Sequence, residues 1–311
     1  MNRCDVVVIG GGLLGCATAW TLARDGLDVV VLERDQLNQH ASGQNAGSLH
    51  LQLEYRMIVE GEAAARRAAE AMPLHLTAAR LWRSLATELG SSLGVAQTGG
   101  LMLAATDEQA RVLETKCAIE RAHGLDVELL TGAHVRELAP YLAPEIVAAA
   151  YCPQEGKVNA RTAGPAFARA AVELGARFHT RTQVTAIHRQ GDRWLVDAAS
   201  VTDGDTVWQG RFRAEAVVLA AGVWTNQLAG LVGAQLPVIP VALTMTVTTR
   251  TAPFLPHLVQ HAGSRLSLKQ APDGNVLIGG GWPARLLTDP LGEPLLDRRP
   301  ELIRQSVAGN A

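Results

Sequence analysis

Gly10, Gly12 and Gly15 form G-x-G-x-x-G directly behind the apolar run Asp5-Val-Val-Val-Ile9, and an acid, Glu33, follows Gly15 by 18 residues. This spacing suits the holding of a dinucleotide. The first glycine permits a tight turn, the second lets backbone approach a pyrophosphate, and the third lets a helix pack close to the strand. The start of that helix offers unpaired N–H groups and the positive end of its dipole to the phosphate. Glu33 can then bond a ribose hydroxyl. A purely structural strand–helix–strand unit can carry the triad alone. Here the whole order is present: a β-branched strand of the doubly buried kind, the triad, a helix over Leu13–Asp25 stopped at Gly26, a second strand over Asp28–Leu32, and the acid.

Other reactive side chains form no comparable pattern. The four cysteines, Cys4, Cys16, Cys117 and Cys152, lack metal-ligand or redox-pair spacing and read as inert thiols of a reducing compartment. His257 and His261 lie four apart, but Pro256 precedes them and no Glu follows His257, so no metal site is expected. A net charge of −2 across 311 residues offers nothing to nucleic acid or an anionic membrane, and Arg66-Arg67 reads as a solvated helix face. Val6 to Ala23 carries no charge, and Leu13-Leu14-Gly15-Cys16 imitates a lipoprotein processing site. Three successive glycines interrupt that run where a signal helix would have to continue, so no targeting segment is assigned. No stretch is long enough to span a bilayer. The expected location is the cytoplasm, with the inner face of the membrane as a peripheral alternative.

The elements that must position these residues follow from periodicity. At 311 residues, two lobes are expected. After Glu33 comes a polar, small-residue loop, Arg34 to Ser48, in place of a prompt second helix and strand. Leu74, Ala78, Leu81, Trp82, Leu85 and Leu89 then predict an amphipathic helix, with Pro73 breaking or kinking the chain upstream. Gly99–Ala105 reads as a strand. Thr106 with Gln109 predicts a capping box for a helix ending near Gly124, and a shorter helix covers Gly132–Leu138. Ala160–Leu174 is helical, with Phe167, Ala171 and Leu174 on one face. Arg177–Thr180 is then the third parallel strand, after an insertion of well over a hundred residues. Val184–Arg189 and Trp194–Ala198 form a hairpin, Val207–Arg213 joins it, and Ala216–Ala220 is another buried strand ending in Ala221-Gly222. Pro237 and Pro240 mark the crossing into a second lobe with antiparallel strands at Val241–Thr249, Leu266–Gln270 and Asn275–Ile278, before a helix over Pro300–Val307.

Four segments in this order resemble the D-amino-acid oxidase/glycine oxidase/sarcosine oxidase superfamily of flavoproteins. They are Val8-Ile-Gly-Gly-Gly-Leu-Leu-Gly15 with Leu32-Glu33-Arg34; Ala41-Ser-Gly-Gln-Asn-Ala-Gly47; Ala216-Val-Val-Leu-Ala-Ala-Gly-Val-Trp224; and Gly274-Asn-Val-Leu-Ile-Gly-Gly280. The resemblance implies an α/β fold: a split Rossmann-type FAD-binding domain with an inserted α+β substrate domain built on an antiparallel sheet. The expected division is 1–90 with 147–236 for FAD, and 91–146 with 237–311 for substrate. By the same resemblance, Gly10, Gly12, Leu13, Leu14 and Gly15 hold the pyrophosphate, and Glu33 with Arg34 the adenosine ribose. Ser42, Asn45, Ala46 and Gly47 follow the cofactor toward its ring. Val184 meets the adenine, and Ala221, Gly222 and Trp224 line the ribityl–flavin end. Such enzymes usually continue for some tens of residues to a glycine-rich closing segment, which is not located in this chain.

The resemblance also implies oxidation of a carbon–nitrogen bond in an amino acid or related amine, with hydride passing to flavin N5. Thr244, Thr246, Thr248, Lys269 and Gln270 are expected on the substrate wall, with His50 and Gln52 pointing in from the cofactor loop. His50, Gln52 and Lys269 are the candidate catalytic residues. Nothing near His40 supports a covalent flavin link there. Sarcosine-oxidase-like relatives carry a lysine for oxygen reduction where this chain has Leu277. That favours a dehydrogenase passing electrons to a partner subunit or quinone. A nicotinamide-dependent dehydrogenase and a non-catalytic FAD-holding subunit are the competing readings, and the broken βαβαβ counts against the first.

Overall fold

The structure, a computed structural model, describes residues 2–202 and 205–310. Its first sheet is parallel, in the order Ala216–Leu219, Val6–Ile9, Val29–Leu32, Arg177–His179. Every residue of the two central strands is buried. Val6, Val8, Val29 and Val31 face the helices Leu13–Arg24 and Ala160–Glu173, where Trp20 meets Phe167 edge-on at 5.5 Å. Val7, Ile9, Val30 and Leu32 face a meander of Thr182–Gln190, Arg193–Thr202 and Asp205–Ala214. Two covered faces explain why these strands are apolar throughout instead of alternating. The third strand arrives from 145 residues further along the chain, and a bidentate pair from Arg177 Nη2 to Asp28 (2.7 and 2.9 Å) fastens it beside the second.

Ala160–Glu173 is capped by Asn159, whose Oδ1 accepts from the Arg161 amide at 3.0 Å. Asn159→Ala is expected to lower stability by about 1 kcal/mol. Urea unfolding would show it, and an unchanged midpoint would mean that the cap contributes nothing.

The second sheet has seven strands, in the order Thr246–Arg250, Asn275–Gly279, Ser267–Gln270, Leu258–His261, Gly100–Ala104, Ala148–Cys152, Glu128–Thr131. All its pairings are antiparallel except Leu258–His261 with Gly100–Ala104, the parallel joint between the two chain segments. One face packs against Glu62–Ala69, Met72–Glu88 and Asp107–Ala122, and the other against Gly132–Leu138. Ala148–Cys152, expected on the nucleotide side of the division, belongs to this sheet because it pairs with both Gly100–Ala104 and Glu128–Thr131.

Pro73 does mark a break, as expected: the upstream helix ends at Ala69, and Pro73 sits in the first turn of Met72–Glu88, where no amide donor is needed. Several other sequence expectations need correction. The expected stripe on that helix is displaced. Leu74 and Leu81 are exposed, while Met72 and Ala79 join the core under the large sheet and Leu85 and Leu89 the core under the parallel one. A helix lodged in the corner between two cores buries two narrow strips, which a single-face template misplaces. Leu174 is likewise exposed. Gln109 Oε1 accepts from Ala105 N at 2.8 Å, one residue before the cap, while Thr106 Oγ1 accepts from Gln109 N at 3.3 Å. The strand expected over Val241–Thr249 is confined to Thr246–Arg250, and the last helix is Arg304–Gly309.

Candidate cofactor and substrate site

At the carboxyl ends of the parallel strands lies a cavity of about 580 Å³, walled by Gly10, Gly12, Leu14, Glu33, Arg34, Ser42, Val184, Ala221, Gly222 and Trp224. That is the position and size expected of a ligand site in an open α/β sheet. Gly10 adopts φ +112°, and a β-carbon there would lie 2.5 Å from the Ala220 carbonyl oxygen. The helix Leu13–Arg24 begins on Gly12, which offers no capping side chain, and has no acid in its first turn. A glycine turn without β-carbons, a helix N-terminus with no acid in its first turn and the Glu33 carboxylate on the cavity wall fit an adenine dinucleotide.

The residues lining the cavity differ from the expected set at several positions. Gly15 does not line it; its missing β-carbon would collide with the Gly10 carbonyl, so its role is close packing beneath the turn. The Leu13 amide already donates to Ser42 Oγ at 3.0 Å, whereas Leu14 lines the opening. Glu33 Oε2 accepts from Gly11 N (2.6 Å) and Oε1 from Asp35 N (2.8 Å), so this carboxylate also shapes the turn it serves. Asn45, Ala46 and Gly47 lie outside the cavity. Asn45 closes its own loop, donating to Ala41 and Ser42 carbonyls and accepting from Gly47 N at 2.7 Å. Trp224 donates Nε1–H to Asp297 at 3.0 Å, with the Arg34 guanidinium 4.0 Å over its ring and His40 edge-on at 5.0 Å. Asn38, not singled out from sequence, also lines the cavity. It holds a left-handed φ of +61° and donates to Ala160 O at 2.8 Å. An Asn in a polar loop is the residue type that tolerates this conformation, which was its available signal.

A second cluster lies between the chain after Gly47 and the helix-covered face of the large sheet. Residues opposite one another in an antiparallel pair share a face, as do residues two apart on a strand. Gln260 is opposite Ser267, and Lys269 is opposite Leu277, so all four project from one face. His50 meets them there, its Nδ1 3.1 Å from Gln260 Nε2 and its Nε2 3.5 Å from Ser267 Oγ. Lys269 is 3% exposed and donates to Val158 O at 3.3 Å, with its Nζ close to bare Gly47. Burial lowers the Lys269 pKa to about 8, helped by repulsion from Lys157. Burial would also depress His50, but the Glu155 carboxylate, 3.9 Å away, outweighs it and holds the imidazole above its ordinary value.

Gln52 is not free to meet a substrate. It is 2% exposed, donates to Glu155 Oε2 (3.0 Å) and Gly100 O (3.2 Å), and accepts from Lys116 Nζ at 2.9 Å. Lys116 in turn pairs with Glu120, which accepts from Leu53 N, while Glu155 accepts from Leu51 N and Gln52 N. Gln52 is thus the hub of a buried brace behind His50. Gln270 is also a brace, accepting from the amides of Phe254 and Leu255 and donating to three carbonyls. Thr246 is opposite Ile278 and therefore on the other face from Lys269, bonded to Asn310. Thr248 accepts from Val276 N and Thr244 donates to Pro283 O. The threonines stitch the sheet edge and do not form a substrate wall.

The four cysteine thiols are all buried and unpaired, with pKa values pushed up to about 11 or 12, chiefly by burial. Among the described residues no group of His, Cys, Asp and Glu could hold a metal ion, and no helix is long and apolar enough to cross a membrane.

This fold and cavity define a flavin-dependent oxidoreductase. The chain belongs to the DAO family of FAD-dependent oxidoreductases, whose model matches residues 5–307. It is 31% identical to glycine oxidase of Geobacillus kaustophilus, over 85% of this chain and 69% of that protein. The crystal structure of the same glycine oxidase superposes with a TM-score of 0.80 at 28% identity, covering all of this chain and 76% of that one. Mitochondrial sarcosine dehydrogenase of Mus musculus is 28% identical over 91% of this chain but only 29% of its own length. An opine oxidase subunit of Rhizobium meliloti is 28% identical over 90% of this chain and 71% of its own. The cofactor of the family is FAD, and the substrates named for these relatives are amines and amino acids.

Proposed function

We propose that this chain oxidises the carbon–nitrogen bond of an amino acid or related amine, of the D-amino-acid, glycine/sarcosine or opine type. The observation that carries this reading is the convergence of His50, Gln260, Ser267 and Lys269 beside Gly47, where the cofactor loop meets the large sheet. FAD, when bound, supplies the hydride acceptor. In this reading Gly10, Gly12 and Leu14 bear on the pyrophosphate, Glu33 on the ribose, and Val184 on the adenine. His50 and Lys269 orient the substrate, while the packed face of the large sheet excludes water. A neutral amine gives up hydride without a protein base, and the imine product hydrolyses in water. The cofactor-binding unit is then 1–90 with 153–236, the strand Ala148–Cys152 going with the substrate unit.

Leu277, opposite Lys269, favours a dehydrogenase delivering electrons to a partner subunit or quinone over an oxidase. The opine oxidase relative, by its name one subunit of a larger enzyme, is consistent with such a partner. The location in this reading is cytoplasmic. The test is purification of the chain with its flavin, followed by anaerobic titration with glycine, sarcosine, D-amino acids and opines. Bleaching of the flavin absorbance by one of them is expected, with little peroxide in air and fast turnover with an artificial acceptor. Flavin that no amine bleaches, with or without partner proteins, would overturn catalysis in favour of a cofactor-holding role.

Glu33→Ala tests the ribose assignment. The buried Gly11 amide and the partly buried Asp35 amide lose their acceptor, so stability is expected to fall by about 1–3 kcal/mol. FAD affinity should fall at least about tenfold. Flavin fluorescence titration reads the second effect, and an unchanged affinity would place the ribose contact elsewhere.

A further inference from the structure

We infer a second binding site, at the amino ends of the parallel strands, where Arg3 and Arg213 together take a phosphoryl group. The site is separate from the amine-oxidising one and does not depend on that reading.

A cavity of about 320 Å³ opens there. Cys4 and Asp5 lead into the strand Val6–Ile9, Asp28 into Val29–Leu32 and Glu215 into Ala216–Leu219, and all four line it. The dinucleotide cavity lies at the opposite ends of the same strands, roughly 13 Å away across four residues of extended chain. The two cavities share no lining residue. Backbone bonds tie the segments around the second one together. Cys4 N donates to Arg213 O at 3.1 Å, and Glu215 N and Ala216 N donate to Asp5 O at 2.9 and 3.1 Å.

Three arginines, Arg3, Arg193 and Arg213, also line this cavity, and their partners divide unequally. Arg193 pairs with Glu215, and Asp28 is taken by Arg177 at 2.7 Å. Asp5 accepts from the Asp28 amide at 2.8 Å, and its charge acts on Arg193. Arg3 and Arg213 pair with no acid among the described residues. Yet they are direct partners in the parallel ladder between Asn2–Arg3 and Asp205–Ala214. Their side chains therefore leave neighbouring strands, about 4.8 Å apart, on one face. Like charges placed opposite one another are destabilising. Arg213 Nε is also buried without a hydrogen-bond partner, a second cost at the same place. One oxyanion lying across both guanidiniums offsets the repulsion and gives Arg213 an acceptor. A single guanidinium fork already occupies both oxygens of a carboxylate. A phosphoryl group carries three free oxygens and close to two charges, enough to accept from both arginines.

The phosphoryl group belongs either to a small ester or to free phosphate, and the experiment separates the two. Holoenzyme, its dinucleotide turn filled by FAD, is titrated with inorganic phosphate, ribose 5-phosphate, ribose and acetate at constant ionic strength. Calorimetry and thermal unfolding are read in wild type, Arg3→Gln and Arg213→Met. Phosphate is expected to bind wild type and raise its unfolding temperature, and to bind either variant at least about tenfold more weakly, with FAD content unchanged. Without phosphate, Arg3→Gln should be at least as stable as wild type, because one of two opposed charges is gone; saturating phosphate should reverse that order. If Arg213→Met fails to fold, Arg3→Gln carries the test, since Arg3 is an exposed residue of a two-residue strand. Ribose 5-phosphate binding more tightly than phosphate, with ribose inert, would make an ester the ligand, and the opposite order would make it the free ion. Equal phosphate affinity in wild type and Arg3→Gln would place the anion elsewhere and overturn the proposal. Stabilisation by acetate equal to that by phosphate, or saturable binding of neither phosphate compound, would overturn it as well.

Discussion

Gly10→Ala is expected to leave the protein without flavin and less stable by about 3 kcal/mol or more. Two penalties coincide at this position. A φ of +112° is one that a residue with a β-carbon rarely adopts. The added carbon would also lie 2.5 Å from Ala220 O and 2.7 Å from Ala220 C, backbone atoms that cannot swing aside. Gly10 N donates to Leu32 O, and Ala220 N donates to Ile9 O. Relief of the clash therefore separates Ala216–Leu219 from Val6–Ile9 at the mouth of the cavity. Urea unfolding and flavin titration should both report it, with FAD affinity down at least about a hundredfold. A variant that purifies yellow with the wild-type unfolding midpoint would show that the turn is not built this way.

Lys116→Met should have the largest effect on stability without touching the cofactor cavity. Removal of one partner of a buried pair leaves the other charge uncompensated, at about 3–5 kcal/mol. Here Glu120, fully buried, keeps the Leu53 amide but loses its cation, and Gln52 loses a donor. Burial already raises the Glu120 pKa against the opposing pull of Lys116, and the variant raises it further. The pH dependence has a definite sign. A carboxyl whose folded pKa exceeds its unfolded value binds more protons in the folded state between the two, so stability falls as pH rises through that interval. The defect should therefore reach its full size only above the variant's folded pKa and shrink as pH falls through it, toward the unfolded carboxyl value near about pH 4. Adding Glu120→Gln should recover part of the loss at pH 8. Urea unfolding across pH would decide, and a defect of equal size at pH 4 and pH 8 would mean that packing, not charge, was lost.

Much of the cofactor half was legible from residue order because its signals are local. Glycine spacing, β-branched runs and an acid at a fixed interval describe one turn and two adjacent strands, and that turn is where the cavity opens. The third strand was also readable, since Arg177-Phe-His follows a helix stop and is short and extended. The loop 41–47 was harder. Its small residues were read as backbone offered to the cofactor; Ala41 and Ser42 line the cavity, while Asn45 spends its side chain on the loop's own carbonyls and Gly47 lies beside Lys269.

On the substrate side, composition misled more often. Alternating threonines suggested a polar wall, yet register puts Thr246 opposite Ile278 and Lys269 opposite Leu277, on different faces. His50 and Gln52 looked equivalent at a spacing of two. Only the first meets Gln260 and Ser267, because the second is drawn into the Lys116–Glu120–Glu155 brace from elements far along the chain.

The sequence alone determined the dinucleotide turn, the alternation of helix and buried strand around it, and membership of a flavoprotein family, because each rests on neighbours within a few turns of chain. Only the tertiary structure decided which polar side chains gather beside Gly47 and which brace the interior. That choice depends on strand register and on charged partners more than sixty residues apart, where a one-residue shift exchanges the two faces of a sheet.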